Sequence, residues 1–86
     1  MKNSEIIKTL KQDISELKTN KQSHSFRRYQ YKGDKHPYKI DLVINVSNDS
    51  NIHNVLCRKI QFKTPSGANK LINDLNNSLN ARLNTF

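Results

Sequence analysis

The chain has 86 residues, a net charge of +8 and a pI of about 9.9, and only 34% of its residues are hydrophobic. This length predicts one domain over residues 1–86 with a compact core. The longest apolar run, Leu42-Val43-Ile44, is too short to span a membrane, and no apolar run suggests a signal peptide, so we expect a cytoplasmic protein. Because Cys57 is the sole cysteine, an intrachain disulfide and a zinc site built from several thiolates are excluded.

A first helix is predicted over residues 4–19. Its apolar residues recur at helical spacing: Ile7, Leu10, Ile14 and Leu17, with Ile6 widening the stripe. Two alternatives stay open for this stripe, which either packs on its own domain or forms the seam of a homodimer. Two heptads are too few to make a stable coiled coil alone.

Three strands are predicted next, over residues 25–32, 38–47 and 54–63. The second is the clearest, because apolar residues alternate with other residues along it. Pro37 directly precedes this strand, where a residue without a backbone N–H is tolerated. In the third strand Arg58 interrupts the apolar face, which predicts either a shift of phase or a position at the edge of the sheet.

A final helix is predicted over residues 64–80, with Thr64 as its N-cap and Pro65 at its first position. Beyond it, the sequence leaves open whether Leu83 and Phe86 dock. The order α-β-β-β-α predicts an α+β domain in which the C-terminal helix covers one face of a three-stranded antiparallel sheet. The predicted core consists of Ile40, Leu42, Ile44, Ile60, Phe62, Leu71, Ile72 and Leu75.

Most of the excess charge lies in the predicted sheet. Residues 21–63 hold nine basic and three acidic side chains, so they carry +6 of the total, while the two flanking segments carry +1 each. Aromatic residues are interspersed with the basic ones. A basic region with interspersed aromatic residues in a small domain is typical of nucleic-acid binders. If Phe26 points to the core, alternation places Arg27, Tyr29 and Tyr31 on the solvent face.

We therefore predict that the sheet face and the adjacent basic loop bind nucleic acid, with DNA favoured over RNA, in a protein of phage or mobile-element origin. Guanidinium and ammonium groups bind phosphates, and phenol rings stack on bases. The predicted contacts are Arg27, Arg28, Tyr29, Tyr31, Lys32, Lys39, Arg58, Lys59 and Lys63.

The segment Ile60-Gln61-Phe62-Lys63-Thr64-Pro65-Ser66-Gly67-Ala68 leads from the last strand into the final helix. Through Phe62, Thr64, Ala68 and Leu71 this junction resembles small DNA-binding domains made of a three-stranded sheet and one helix. Examples are the arm-binding domains of phage-type integrases and the plant ethylene-response-factor type, whose strand tryptophans are absent here. The resemblance, over about residues 25–80, implies that the sheet face enters the DNA groove. The element order also resembles the double-stranded-RNA-binding fold, without the basic motif that begins its final helix.

Two other functions stay open. The positive surface could meet an acidic partner, as in a protein-binding inhibitor module. A metal-free RNA-cleaving toxin could use histidine with Arg, Lys and Tyr for acid–base chemistry and phosphate stabilisation. However, His24, His36 and His53 are far apart in the sequence. We therefore predict no catalytic residue, no metal ligand and no cofactor.

Overall fold

The computed structural model describes residues 2–48 and 51–86. Its elements follow one another as α1 (Asn3–Thr19), β1 (Ser23–Gln30), β2 (Tyr38–Asn48), β3 (Asn51–Phe62) and α2 (Pro65–Leu79). The strands form one antiparallel sheet in the order β1-β2-β3. The predicted α+β class and the α-β-β-β-α order are therefore confirmed. Within the described ranges, neither helix is long and apolar enough to cross a membrane.

The strand ends differ from the predicted ones by up to three residues. β1 stops at Gln30 instead of residue 32. The next residue, Tyr31, donates its backbone N–H to the carbonyl of Pro37 at 2.8 Å, but Pro37 has no N–H with which to continue the ladder. β3 already begins at Asn51, because backbone pairing with β2 extends through polar residues that side-chain alternation does not mark.

β3 changes phase in its middle. Leu42 pairs with Arg58, but Val43 pairs with Leu56, so Cys57 is an extra residue that bulges out of the ladder. β3 is also an edge strand of the sheet. Arg58 predicted either a shift of phase or an edge position for this strand. The structure shows both.

The core lies on one face of the sheet, beneath both helices. It is formed by side chains from α1, β2 and α2, namely Ile6, Leu10, Ile14, Ile40, Leu42, Ala68, Leu71, Ile72 and Leu75. Two residues of the predicted core, Ile60 and Phe62, are partly buried against this cluster. Ile44 is half-buried and lies outside it. Because Ile44 pairs with the exposed Val55, it sits near the end of the sheet that the core does not reach.

α1 packs within its own chain, against α2 and β1. Its buried residues are Ile6, Leu10, Ile14 and Leu17, whereas Ile7, predicted as part of the stripe, is only partly buried. The predicted docking of α1 on its own domain is what the structure shows. The homodimer through α1 stays a prediction, and it would require these side chains to leave the core.

α2 begins as predicted. The hydroxyl of Thr64 accepts a hydrogen bond from the backbone N–H of Gly67 at 3.2 Å, and Pro65 occupies the first turn. The helix ends at Leu79, and the C-cap residue Asn80 adopts a left-handed conformation with φ of 54°. Residues 81–86 then run back along α2 and pack against it.

Two asparagines of α2 hold this terminal segment. The Asn76 amide accepts from the N–H of Leu83 and donates to its carbonyl, each at 2.8 Å. Asn69 does the same with Phe86, at 2.7 Å and 3.3 Å. The Phe86 ring lies edge-on to Tyr38, with 5.1 Å between ring centroids. The apolar residues of the segment therefore complete the edge of the core.

Candidate nucleic-acid interface

The face of the sheet opposite the helices, here called the helix-free face, carries two cross-strand rows of polar side chains. In one row Arg27 of β1 pairs with Asp41 of β2, and Asp41 pairs with Lys59 of β3. In the next row Tyr29 pairs with Lys39. Strand alternation puts these residues together because Ile40 and Leu42, which flank Asp41 in β2, point into the core.

Arg27 is held in place by a buried carboxylate. Its Nε donates to Oδ2 of Asp41 at 2.9 Å, and Asp41 is fully buried while the Arg27 side chain is 47% exposed. The bond uses Nε, so the four N–H groups of the terminal nitrogens lie outside it. The other Asp41 oxygen, Oδ1, has no hydrogen-bond partner within residues 2–48 and 51–86. Asp41 therefore orients a guanidinium whose remaining donors can meet a ligand.

Tyr29 lies between two cations. The guanidinium carbon of Arg27 is 5.6 Å from the centroid of the Tyr29 ring, and Nζ of Lys59 is 5.8 Å from it. The Tyr29 phenol, with a smaller contribution from Asp41, raises the pKa of Lys59 above its ordinary value. Lys59 is therefore charged at neutral pH. We call Arg27, Tyr29 and Lys59 the basic cluster. A shallow depression of about 410 Å³ opens at Arg27 and Tyr29.

Lys39 lies on the same face but does not offer a free charge. It is only 4% exposed, and its Nζ donates to Oδ2 of Asp34 at 3.0 Å and to Oε1 of Gln61. The backbone N–H of His36, and then Lys39, hold the pKa of Asp34 below its ordinary value. Lys39 therefore anchors the loop between β1 and β2.

Arg28 and Arg58, also predicted as contacts, lie on the helix-covered side of the sheet. The guanidinium carbon of Arg28 is 4.6 Å from the centroid of the Phe86 ring. Arg58 donates from Nε to Asp13 of α1 and from Nη2 to the second oxygen of the same carboxylate at 3.2 Å. This pair raises the pKa of Arg58. Alternation separates both arginines from the basic cluster.

The other predicted contacts surround one end of the helix-free face. Tyr31 follows β1 and is 63% exposed, and Lys32 lies in the turn after it. Lys63 directly follows β3 and is exposed. Because Gln30 and Phe62 both pair with Tyr38, these ends of β1 and β3 flank β2 at the same end of the sheet. The structure thus brings seven of the nine predicted residues to one face or its rim, if the tied Lys39 is included.

The three histidines do not join the basic cluster. His24 is half-buried on the helix-covered side beside Phe26, and burial together with nearby Lys18 lowers its pKa. His36 lies in the loop before β2, and His53 lies in β3. Within residues 2–48 and 51–86, no group of three or more His, Cys, Asp or Glu side chains could hold a metal ion.

Sequence reasoning assigned no role to the acidic partners of this surface. Asp41, Asp34 and Asp13 each fix one predicted cation, and which cation each one meets depends on register or helix packing. The opposite charges of Arg27 in β1 and Asp41 in β2 were the sequence signal that could have suggested their ion pair. Their pairing needs the register of the two strands.

Comparison of this chain with protein-family models, with curated proteins and with solved structures gives no match. The resemblance to sheet-plus-helix DNA-binding domains therefore stays a prediction. We therefore infer a function from the geometry and charge of the basic cluster.

Proposed function

We propose that this is a small nucleic-acid-binding protein that docks its helix-free sheet face on a phosphate backbone, with duplex DNA as the favoured ligand. The observation that carries the proposal is the basic cluster, in which a fully buried Asp41 fixes the half-exposed Arg27 beside Tyr29 and Lys59. A cation that is held before binding loses less side-chain entropy when it meets its ligand.

In this mechanism Arg27 and Lys59 bind phosphate oxygens, since both cations sit on the helix-free face with donors pointing away from the core. Lys32 and Lys63 extend the positive surface around the rim. Phosphate contacts of this kind position a protein on nucleic acid without reading its sequence. They also make the affinity depend steeply on salt, because each contact releases counterions.

The two tyrosines have different roles in this proposal. Tyr29 is flanked by Arg27 and Lys59, so its ring serves mainly to position the two cations. Tyr31 is 63% exposed at the rim, and its ring is the one available to stack on a base.

A fluorescence-anisotropy titration tests the proposal with random duplex DNA, single-stranded DNA and RNA of equal length. The double variant Arg27→Gln, Lys59→Gln should bind duplex DNA more weakly, and its log–log salt slope should fall by about 2 because two phosphate contacts are lost. The matched control is Lys11→Gln, Lys70→Gln, which removes the same charge from exposed positions on the two helices.

The control should keep the affinity and the salt slope of the parent chain. Equal losses in the two double variants would show that net charge, rather than the basic cluster, determines binding. Unchanged binding in the cluster variant would refute docking through the helix-free face.

A second candidate function, binding of an acidic protein segment, is favoured by a groove of about 510 Å³ beside the edge strand. It is lined by Ile6 and Thr9 of α1 and by residues 58–62 of β3. An extended peptide can add to such an edge as a further strand, and Arg58 and Lys59 give the groove a positive rim. If a polyglutamate peptide, added at matched ionic strength, blocked DNA binding by the Lys11→Gln, Lys70→Gln variant but not by a Thr9→Glu variant, whose carboxylate would repel the peptide from the groove, this groove would be the binding site instead.

A further inference from the structure

The far end of the β2–β3 hairpin differs from the rest of the molecule. β1 pairs with β2 no further than Ser23 with Asn45, whereas β2 and β3 stay paired as far as Asn48 with Asn51. We call residues 45–48 and 51–57 the hairpin arm. Of the five large hydrophobic residues exposed in the described ranges, four lie in this arm, namely Val46, Ile52, Val55 and Leu56. The most exposed of them is Ile52, at 78%.

The hairpin arm is uncharged in a strongly basic chain. Residues 45–48 and 51–57 contain no Lys, Arg, Asp or Glu, while the whole chain carries +8. Phosphate binding needs cations, so this surface does not suit a nucleic acid. Two copies of the chain repel each other wherever basic surfaces meet. The hairpin arm is the part of the sheet where that repulsion is weakest.

The outer edge of β3 also lacks protection in the hairpin arm. Edge strands are usually blunted by lysine, proline or a bulge, which prevents pairing with another chain. The second half of β3 has such features, since the bulge at Cys57 is followed by Arg58 and Lys59. Residues 51–56 have none of them, and all six are exposed. An unprotected apolar edge of this kind is a template for another strand.

We propose that the hairpin arm pairs with the hairpin arm of a second copy, β3 against β3 and antiparallel, about a two-fold axis at Asn54. An axis perpendicular to the sheet keeps each side chain on its own face and pairs residues at equal distances from the axis. Centred on Asn54, Ile52 lies opposite Leu56 of the second copy on one face. His53 lies opposite Val55 of the second copy on the other. Every exposed apolar residue of β3 then gains a cross-strand neighbour.

This pairing joins the two sheets into one of six strands. Because the axis is perpendicular to the sheet, both helix-free faces lie on the same side, and so do both basic clusters. This pairing does not require nucleic acid. It can therefore be correct or wrong whether or not the protein has the proposed function. If both hold, the dimer presents two related clusters to one ligand.

Sedimentation equilibrium of the full chain, without nucleic acid and from micromolar to millimolar concentration, tests the association. We expect a monomer–dimer equilibrium that Ile52→Lys weakens by about tenfold or more, because two apolar pairs per dimer are lost. Ser78→Lys, an equal charge change at an exposed position of α2, should leave it unchanged. A parent chain that stays monomeric, or equal association of the two variants, would overturn the proposal.

Disulfide crosslinking tests the position of the axis and does not depend on the lysine variant. In a Cys57→Ser background, Asn54→Cys places two thiols directly opposite each other, at a Cα separation of about 4.5–5.5 Å that a disulfide can bridge. Ile52→Cys is the control, because its thiol faces Leu56 of the second copy and not another thiol. Mild oxidation should crosslink the Asn54→Cys chain and not the Ile52→Cys chain. Equal crosslinking, or crosslinking only of the control, would refute the register.

Discussion

Removal of Arg27 tests how the basic cluster is built. Arg27 Nε supplies the hydrogen bond to Asp41 Oδ2 at 2.9 Å, and Oδ1 has no partner within residues 2–48 and 51–86. Arg27→Ala therefore leaves a fully buried carboxylate without its cation. Leaving a buried polar group unsatisfied costs about 1–3 kcal/mol, and breaking a fully buried ion pair costs about 3–5 kcal/mol.

The expected loss of stability in Arg27→Ala lies in the lower of these two ranges. Arg27 is 47% exposed, so water can reach the carboxylate once the arginine side chain is gone. Lys59, opposite Asp41 in the register, still attracts it. We therefore expect Arg27→Ala to lower the free energy of unfolding by about 2 kcal/mol.

The double variant Arg27→Ala, Asp41→Asn should recover about 1 kcal/mol, because an uncharged amide costs less to bury than an unpaired carboxylate. Urea unfolding followed by far-ultraviolet circular dichroism, with both single variants and the double variant, gives the coupling free energy. A cost for Arg27→Ala below about 0.5 kcal/mol, as at ordinary surface positions, would refute the reasoning. So would a double variant that is less stable than Arg27→Ala alone.

Three further outcomes are expected. Tyr31→Ala should weaken single-stranded DNA binding by about 1–3 kcal/mol if its ring stacks on a base. In the same anisotropy assay, Tyr29→Phe should change this binding little. Equal effects of the two substitutions would contradict the separate roles of the tyrosines. Asn76→Ala removes two hydrogen bonds to Leu83 and should cost about 1–2 kcal/mol. Faster amide exchange at Leu83 would check it, and unchanged exchange would show that these bonds do not hold the segment. Because the folded-state pKa of Asp34 is lowered, its contribution to stability is full above the ordinary value of 3.8 and is lost as the pH falls below it. Asp34→Asn should therefore flatten the acid limb of the stability–pH curve measured by urea unfolding, and an unchanged limb would argue against this linkage.

The order and type of the elements could be predicted from sequence because their signals are local. Thr64 and Pro65 mark the start of α2, where the hydroxyl and the ring act on the same turn of chain. The alternation around Leu42 fixes which side of β2 enters the core. Charge density and aromatic residues likewise pointed to the sheet as the candidate binding surface, since both are properties of composition.

Tertiary structure decided which of the basic residues stand together. Arg27 and Asp41 are 14 residues apart, and Arg58 and Asp13 are 45 apart, so neither pair is visible until strand register and helix packing are known. The bulge at Cys57 moves Leu56 from the face of Arg58 to the opposite one, which no alternation rule along β3 can show. Likewise, the terminal segment docks because Asn69 and Asn76 satisfy its backbone groups. Such contacts are set by geometry between distant segments, whereas periodicity reports only the local conformation of each segment.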